Sequence, residues 1–392
     1  MIHCLPSMEY RERLVRAEKV ERAMRRTGTA LGRGTRARGE SGGMGLSGRG
    51  AAGKWGKGFR EGGMTKLITI LGGSGFVGRY VARHMAQAGW RVRVATRRPN
   101  EAIFVRTYGV VGQVEPVLCN IRDEASVRAV VAGADAVVNC IGILNESGKN
   151  RFDAVQAEGA QRAARLAAEE GVQQYIQISA IGADAKSDSA YARTKAAGEA
   201  GVLKAFPGAV ILRPSIIFGP EDQFFNRFAG MTRFSPFLPI AGAKTRFQPV
   251  YVDDVAKAVA KAAMGGVEAG TYELGGPDVR TFRELMEGLL LEIRRKRVIV
   301  NLPWFFARFM AWGFDLLQTV TVGLFTNNQL TRDQLKNLRR DNVVSDGAKG
   351  FAELGIKPVP MELVLPGYLW RFRRIGQYED IRDSAQHLRS QE

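Results

Sequence analysis

Leu67-Ile68-Thr69-Ile70-Leu71-Gly72-Gly73-Ser74-Gly75-Phe76-Val77-Gly78 is the stretch on which the reading of this chain turns. An apolar run of strand length ends in four glycines within seven positions, and an amphipathic segment, Arg79 to Ala88, follows. A strand, a tight turn and a helix start are therefore expected in that order. Two phasings of the glycines fit, Gly73-x-Gly75-x-x-Gly78 and Gly72-x-x-Gly75-x-x-Gly78. Gly72 and Gly75 let the backbone turn and let a pyrophosphate approach with no Cβ in the way, and Gly78 lets the helix lie close on the strand. The free N–H groups at the helix start, where Phe76 and Val77 stand, then face the phosphates. The plain alternative is an ordinary glycine-rich turn. The strand before and the helix after are the context that favours a nucleotide.

The next strand outward reads Trp90-Arg-Val-Arg-Val-Ala-Thr96-Arg97-Arg98-Pro99. A fold that binds NAD carries an Asp or Glu about 20 residues beyond the glycines, where it holds the ribose 2′-hydroxyl. Here the place is taken by Arg97 and Arg98. A carboxylate repels a 2′-phosphate and a guanidinium binds one bidentately, so NADP(H) is favoured over NAD(H). Solvated surface charge is the plainer reading of the same pair. A third strand ends at Val117-Leu-Cys-Asn120-Ile121, whose last two residues are placed to flank an adenine. A fourth, Ala134-Asp-Ala-Val-Val-Asn139-Cys140-Ile-Gly142, has a small-residue exit at Cys140 and Gly142, where a cofactor passes close to backbone.

After a helix over 152–170, Gln174-Tyr-Ile-Gln-Ile-Ser179-Ala180 reads as a fifth strand. Twelve residues past Ser179 comes Tyr191-Ala-Arg-Thr-Lys195, inside a helical pattern over 190–206. Positions i and i+4 share a helix face, so Tyr191 and Lys195 point the same way. A tyrosine of ordinary pKa, about 10, is a poor base at neutral pH. A neighbouring ammonium is expected to lower that value, to bond the nicotinamide ribose, and to leave Ser179 to hold a substrate oxygen. Chance spacing in a helix and a packed ring are the competing explanations for Tyr-x-x-x-Lys.

The order of these signals resembles the extended, somewhat atypical short-chain dehydrogenases/reductases, which include the NAD-dependent epimerases and dehydratases. The markers continue through Leu212-Arg213-Pro214-Ser215, Phe218-Gly219-Pro220, Tyr251-Val252-Asp253-Asp254 and Tyr272-Glu-Leu-Gly275-Gly276-Pro277. Ile178-Ser-Ala-Ile-Gly-Ala-Asp184, Gly219-Pro-Glu-Asp-Gln-Phe-Phe-Asn226-Arg227-Phe228 and Leu330-Thr331-Arg332-Asp333-Gln334 carry a closer resemblance, to the nucleotide-binding accessory subunits of respiratory complex I and their bacterial relatives. That resemblance implies an α/β fold, a Rossmann-type doubly wound parallel sheet with a smaller C-terminal substrate-side region. It implies a tightly held NADPH, Pro214 beside the cofactor, complex I or another membrane-associated assembly as partner, and a structural role. It also implies work close to quinones, with a link to ubiquinone biosynthesis. The implied place is peripheral to the inner membrane, on the cytoplasmic side in a bacterium or the matrix side in a mitochondrion. Ser179, Tyr191 and Lys195 are all kept, which leaves an active NADPH-dependent oxidoreductase or epimerase as the other reading.

Composition bounds the rest. The 392 residues carry a formal charge of +18, unevenly spread: residues 1–63 hold 14 Lys/Arg against 6 Asp/Glu, and 14 of the 46 glycines. No apolar period runs from Thr27 to Gly63, so this stretch cannot offset its ordering entropy and is expected to be disordered, or to lie upstream of the natural product. Glu9, Glu12, Glu18 and Glu21 argue against a transit peptide, and the lack of interleaved aromatics against a nucleic-acid arm. The expected division is 1–63 extension, 64–300 nucleotide-binding domain with substrate-side insertions from about 214, 301–378 C-terminal interface region, and 379–392 polar tail. Cys4, Cys119 and Cys140 fit a reducing compartment without a disulfide. His3, His84 and His387 are too few and too scattered for a metal cluster. Phe224, Phe225, Phe228, Phe234, Phe237 and Phe247 suggest a small second core, with a pocket for an apolar ring such as a quinone as the sharper alternative. The apolar run Leu302 to Phe325, interrupted by Arg308 and Asp315, follows Arg294-Arg295-Lys296-Arg297. It reads either as a helix on its own core or as a face for a membrane surface or a partner.

Overall fold

Every second residue of the first strand, β1 (Leu67–Leu71), enters a different core, and this alternation sets the layering of the molecule. Ile68 and Ile70 are buried on one face of the sheet, Leu71 on the other, and the Thr69 hydroxyl on that second face donates to the Val130 carbonyl at 2.6 Å. A strand buried on both faces needs helices on both, which parallel crossovers supply. The structure is a computed structural model, and it describes residues 65–306, 308–309, 332–376 and 378. The expectations for 1–63, for most of 302–325 and for 379–392 lie outside the described residues.

The strands β2 (Arg91–Thr96), β3 (Val114–Leu118), β4 (Ala136–Asn139), β5 (Gln174–Ile178) and β6 (Val210–Pro214) and a seventh at Gly270–Leu274 join β1 in one parallel sheet. Its spatial order is 270–274, β6, β5, β4, β1, β2, β3, so the winding reverses between β1 and β4. Open sheets of this kind bind ligands in the crevice beyond the carboxyl ends at that reversal. Helices 76–87 and 252–263 cover one face, where Val81, Met85, Val255 and Val259 are fully buried. Helices 124–131, 158–169 and 190–205 cover the other through Val127, Ala163, Leu166 and Val202. His84 Nε2 and Asp253 Oδ1, 2.7 Å apart, tie the first pair of helices together.

Residues beyond Pro214 do not all leave the sheet: 252–274 return to it as a helix and the edge strand. The smaller part is woven from 215–251, 280–301 and much of 332–372, while 349–356 pack back on the sheet, with Phe351 and Leu354 in its core. Its aromatic cluster is a core, as the plainer reading had it. Phe225 and Phe247 are buried, and Phe224 and Phe228 pack edge-on or tilted against Phe282 with centroids 5.7 and 5.4 Å away. Phe234 and Phe237 stay outside this core and are exposed. No described helix is long and apolar enough to cross a membrane.

Candidate active site

Gly72 leaves β1 at φ +76°, a backbone conformation that a residue with a Cβ rarely adopts. The turn then closes on itself: Gly72 N–H donates to the Ala95 carbonyl at 2.8 Å, Gly73 N–H to Ile70 at 3.1 Å, and Gly75 N–H to Gly72 at 2.9 Å. A Cβ on Gly78 would fall on the Gly72 carbonyl and 2.6 Å from Gly73 Cα, so only glycine lets the helix cross the turn here. The helix begins at Phe76 with Gly75 as its N-cap, no side-chain cap and no acidic residue in its first turn. Its leading N–H groups, at Phe76 and Val77, are those a phosphate would take up. Ser74 completes one wall, its hydroxyl 3.0 Å from that of Thr96 at the end of β2.

The two arginines beyond Thr96 differ. Arg98 donates to Glu101 at 3.1 Å in an exposed ion pair, whereas Arg97 donates to the Asn150 side chain at 3.3 Å. Asn120 spends its carboxamide oxygen on the backbone N–H (3.2 Å) and Nε (3.4 Å) of Arg122, and Ile121 is buried against Gly159. The exit of β4 lies next to the chemistry. A Cβ on Gly142 would stand 3.4 Å from Lys195 Nζ, and Cys140, half-buried, has its thiol pushed up to about 12 by burial against a smaller pull from Lys195. Pro214 ends β6, where its carbonyl accepts from Ile181 N–H at 3.0 Å, away from the glycine turn.

Tyr191 and Lys195 share one face of helix 190–205, with Lys195 Nζ over the Tyr191 ring at 6.0 Å from its centroid. Lys195 is buried and donates to the Ile178 carbonyl at 3.3 Å, beside Ser179. The Ser179 hydroxyl is buried with no hydrogen-bond partner among the described residues. A buried polar atom without a partner costs about 1–3 kcal/mol and calls for an occupant. The sequence expectation of a lowered tyrosine pKa is corrected: burial pushes Tyr191 up to about 12, while burial brings Lys195 down to about 8 against the opposing pull of Glu199. Desolvation disfavours both charged forms, and at this separation the ammonium does not reverse it for the phenol. The Tyr191 phenol is therefore protonated at neutral pH.

Three contributors were not singled out for a role from the sequence. Phe152 packs edge-on against the Tyr191 ring at 5.9 Å, and a π-turn over 153–157 follows it. Such turns recur at functional sites. Gln156 in that turn donates to the Ile143 carbonyl at 2.6 Å and leaves its own oxygen buried without a partner among the described residues. Asp333 accepts from Ser189 Oγ at 2.7 Å, Ala190 N–H at 2.8 Å and Tyr191 N–H at 3.1 Å, so it caps the helix that bears Tyr191 and Lys195. The only sequence signal for Asp333 was its place in the quoted Leu330–Gln334 motif.

The model of the NAD dependent epimerase/dehydratase family matches residues 68–275. The chain is 37% identical to NADH dehydrogenase (ubiquinone) 1 alpha subcomplex subunit 9 of Arabidopsis thaliana over 82% of this chain and 81% of that protein. It is 32% identical to ceramide reductase of Caulobacter vibrioides over 60% of this chain and 74% of that protein. Among solved structures, that of gox2253 matches with a TM-score of 0.58 and 21% identity, covering 80% of this chain and 99% of the other.

Proposed function

Because the chain belongs to the NAD dependent epimerase/dehydratase family, in the group that holds complex I alpha subcomplex subunit 9, we infer that it is an NADP(H)-binding protein of the complex I accessory type, peripheral to the inner membrane. The observation that carries the cofactor is the glycine turn: a positive φ at Gly72, no room for a Cβ at Gly78, and a helix start with neither cap nor acid. The choice of NADP(H) rests on Arg97 and Arg98 where an NAD site would carry a carboxylate. Both guanidiniums have a partner, but that of Arg98 is the charged Glu101 and that of Arg97 the neutral Asn150, so most of the preference for the 2′-phosphate is assigned to Arg97.

A second reading has its own support in the unpartnered Ser179 hydroxyl, which a purely structural cofactor would not require. In it the protein reduces a carbonyl. A bound reduced nicotinamide would supply the hydride to the carbonyl carbon. The Tyr191 phenol, protonated at neutral pH, gives its proton to the carbonyl oxygen, Ser179 holds that oxygen, and Lys195 orients the ribose beside Gly142. Hydride and proton together make the alcohol. Ceramide reductase among the relatives favours an apolar carbonyl, and the ubiquinone-type NADH dehydrogenase to which the plant relative belongs puts quinones first among the acceptors to try.

Purification of the full chain, with mass spectrometry of the nucleotide it retains and absorbance of the reduced nicotinamide followed after adding short-chain quinones or ketones, tests both readings. Retained NADPH that stays reduced supports the accessory role. Oxidation above background supports the reductase. A chain that retains and binds neither NADPH nor NADH overturns both. Arg97→Ala is expected to lower the preference for NADPH over NADH by about tenfold and Arg98→Ala by much less. Equal effects of the two would contradict the division of labour between them.

A further inference from the structure

A turn beyond the exit of β4 gathers two guanidiniums that leave different strands of the sheet. Ser147 and Asn150 close the turn with reciprocal backbone bonds, Ser147 N–H to the Asn150 carbonyl at 3.2 Å and Asn150 N–H to that of Ser147 at 3.0 Å. Arg97, just beyond β2, donates through Nη1 to the Asn150 side-chain oxygen at 3.3 Å. Arg122, just beyond β3, donates through Nη1 to the Lys149 carbonyl at 2.9 Å. The two strands are neighbours, with Thr96 in register with Leu118 and Cys119 N–H donating to the Thr96 carbonyl at 2.9 Å. Both arginines therefore start from one corner of the sheet and end on adjacent residues of one turn.

Their partners are neutral oxygens. Among the described residues neither Arg97 nor Arg122 forms an ion pair, whereas Arg98 reaches Glu101 with its own side chain 75% exposed. Two like charges drawn to one turn without a carboxylate repel each other, and an anion is what offsets that repulsion. The place says which anion. Arg97 stands where the acidic residue of an NAD site meets the ribose 2′-hydroxyl. Arg122 is tied to the adenine end as well, since its backbone N–H and Nε hold the Asn120 carboxamide oxygen at 3.2 and 3.4 Å. A phosphate monoester offers close to two negative charges and three acceptor oxygens, enough for two guanidinium forks, and a ribose hydroxyl offers neither.

We propose that Arg122 is the second cation of the 2′-phosphate site, beside Arg97 and in place of Arg98, and that the neutral Lys149-Asn150 turn holds the two guanidiniums until the phosphate takes them up. This rests on the reading of an NADP(H)-binding protein and names the residues that select that cofactor. It also gives Asn150 a reason to be uncharged: a carboxylate there would occupy Arg97 permanently and repel the phosphate.

Calorimetric titration of the full chain with NADPH and with NADH is the test, read as the ratio of the two affinities. Arg122→Ala is expected to lower the preference for NADPH by about tenfold, Arg122→Lys by less, and Arg98→Ala by least. Asn150→Asp, a change of the same size at the protein surface, is expected to weaken NADPH by about tenfold and to leave NADH within about twofold. An Arg122→Ala variant that keeps the wild-type ratio overturns the proposal. So does one that weakens both nucleotides alike, which would make Arg122 a support for Asn120 and nothing more. Full preference for NADPH in Asn150→Asp would remove the shared site at the turn and overturns it too. The wild type separates this claim from the one beneath it: equal affinity for NADPH and NADH, or none for either, sinks the NADP(H) reading and this with it, whereas a preference for NADPH that survives Arg122→Ala sinks this one alone.

Discussion

The turn after β1 and the turn after β5 lie on one edge of the sheet with a single strand, β4, between them, and they are built on opposite plans. After β1 the backbone does the work. Three glycine N–H groups are bonded inward, no side chain caps the helix, and there is no room for a Cβ at Gly78. After β5 the side chains do it. Lys195 is buried on a single carbonyl, the Ser179 hydroxyl has no partner among the described residues, and the Tyr191 phenol is held neutral by burial. The first site is complete before any ligand arrives, and a ligand adds to it. The second carries polar atoms that only a ligand completes.

The comparison breaks most sharply at Gly78. Gly78→Ala forces a Cβ onto the Gly72 carbonyl. The expected outcome is loss of retained nucleotide and a destabilisation of about 2–3 kcal/mol by overpacking, read from nucleotide content and denaturant melts. A variant that keeps both would show that the turn has slack the distances deny. On the other side, Tyr191→Phe is expected to leave nucleotide content within about twofold and to lower any carbonyl reduction by about 10²-fold or more, read as NADPH oxidation. Loss of nucleotide with turnover kept would reverse the two roles. A smaller effect is expected at the join between the plans. Asp333→Ala removes the acceptor for the N–H groups of Ala190 and Tyr191, which should cost about 1–2 kcal/mol and speed hydrogen exchange at those two amides, with the glycine turn unaffected.

The smallest effect concerns acid. Asp253 is held down at about 2, first by its bond to His84, from an ordinary 3.8. A carboxylate depressed in the folded state adds stability that is present above its ordinary value and lost as pH falls through the folded one. The bond between helices 76–87 and 252–263 should therefore weaken between about pH 4 and pH 2. Asp253→Asn should flatten that part of the stability curve, and an unchanged curve would mean that the pair contributes nothing.

The first plan was legible in the sequence and the second only in part, for a physical reason. A glycine turn is local. Its spacing, the strand before it and the helix after it all lie within some twenty residues, so Gly72 to Gly78 could be assigned before any coordinates. Tyr191 and Lys195 were legible for the same reason, as i and i+4 on one helix. The pKa of Tyr191 was not, because burial by Phe152 and the rest of the fold outweighs the near ammonium. Asp333 gave no local sign of its partner, since a carboxylate that caps a helix 142 residues upstream leaves no spacing to read. The same holds for Arg122. Nothing in the sequence around it shows that it ends on the same turn as Arg97.

That long reach of Asp333 also orders events in time. As the chain leaves the ribosome, the sheet strands through β6 and the helix bearing Tyr191 emerge well before residue 333 does. Until it does, the first amides of that helix lack their carboxylate, while the glycine turn after β1, whose hydrogen bonds run only to Ile70, Gly72 and Ala95, already has all its partners. Asp333 arrives with the stretch that also brings Phe351 and Leu354 to the sheet core and Met361 to Phe372 to the second core, so the seating of the Tyr191 helix and the closing of both cores fall together, late in synthesis.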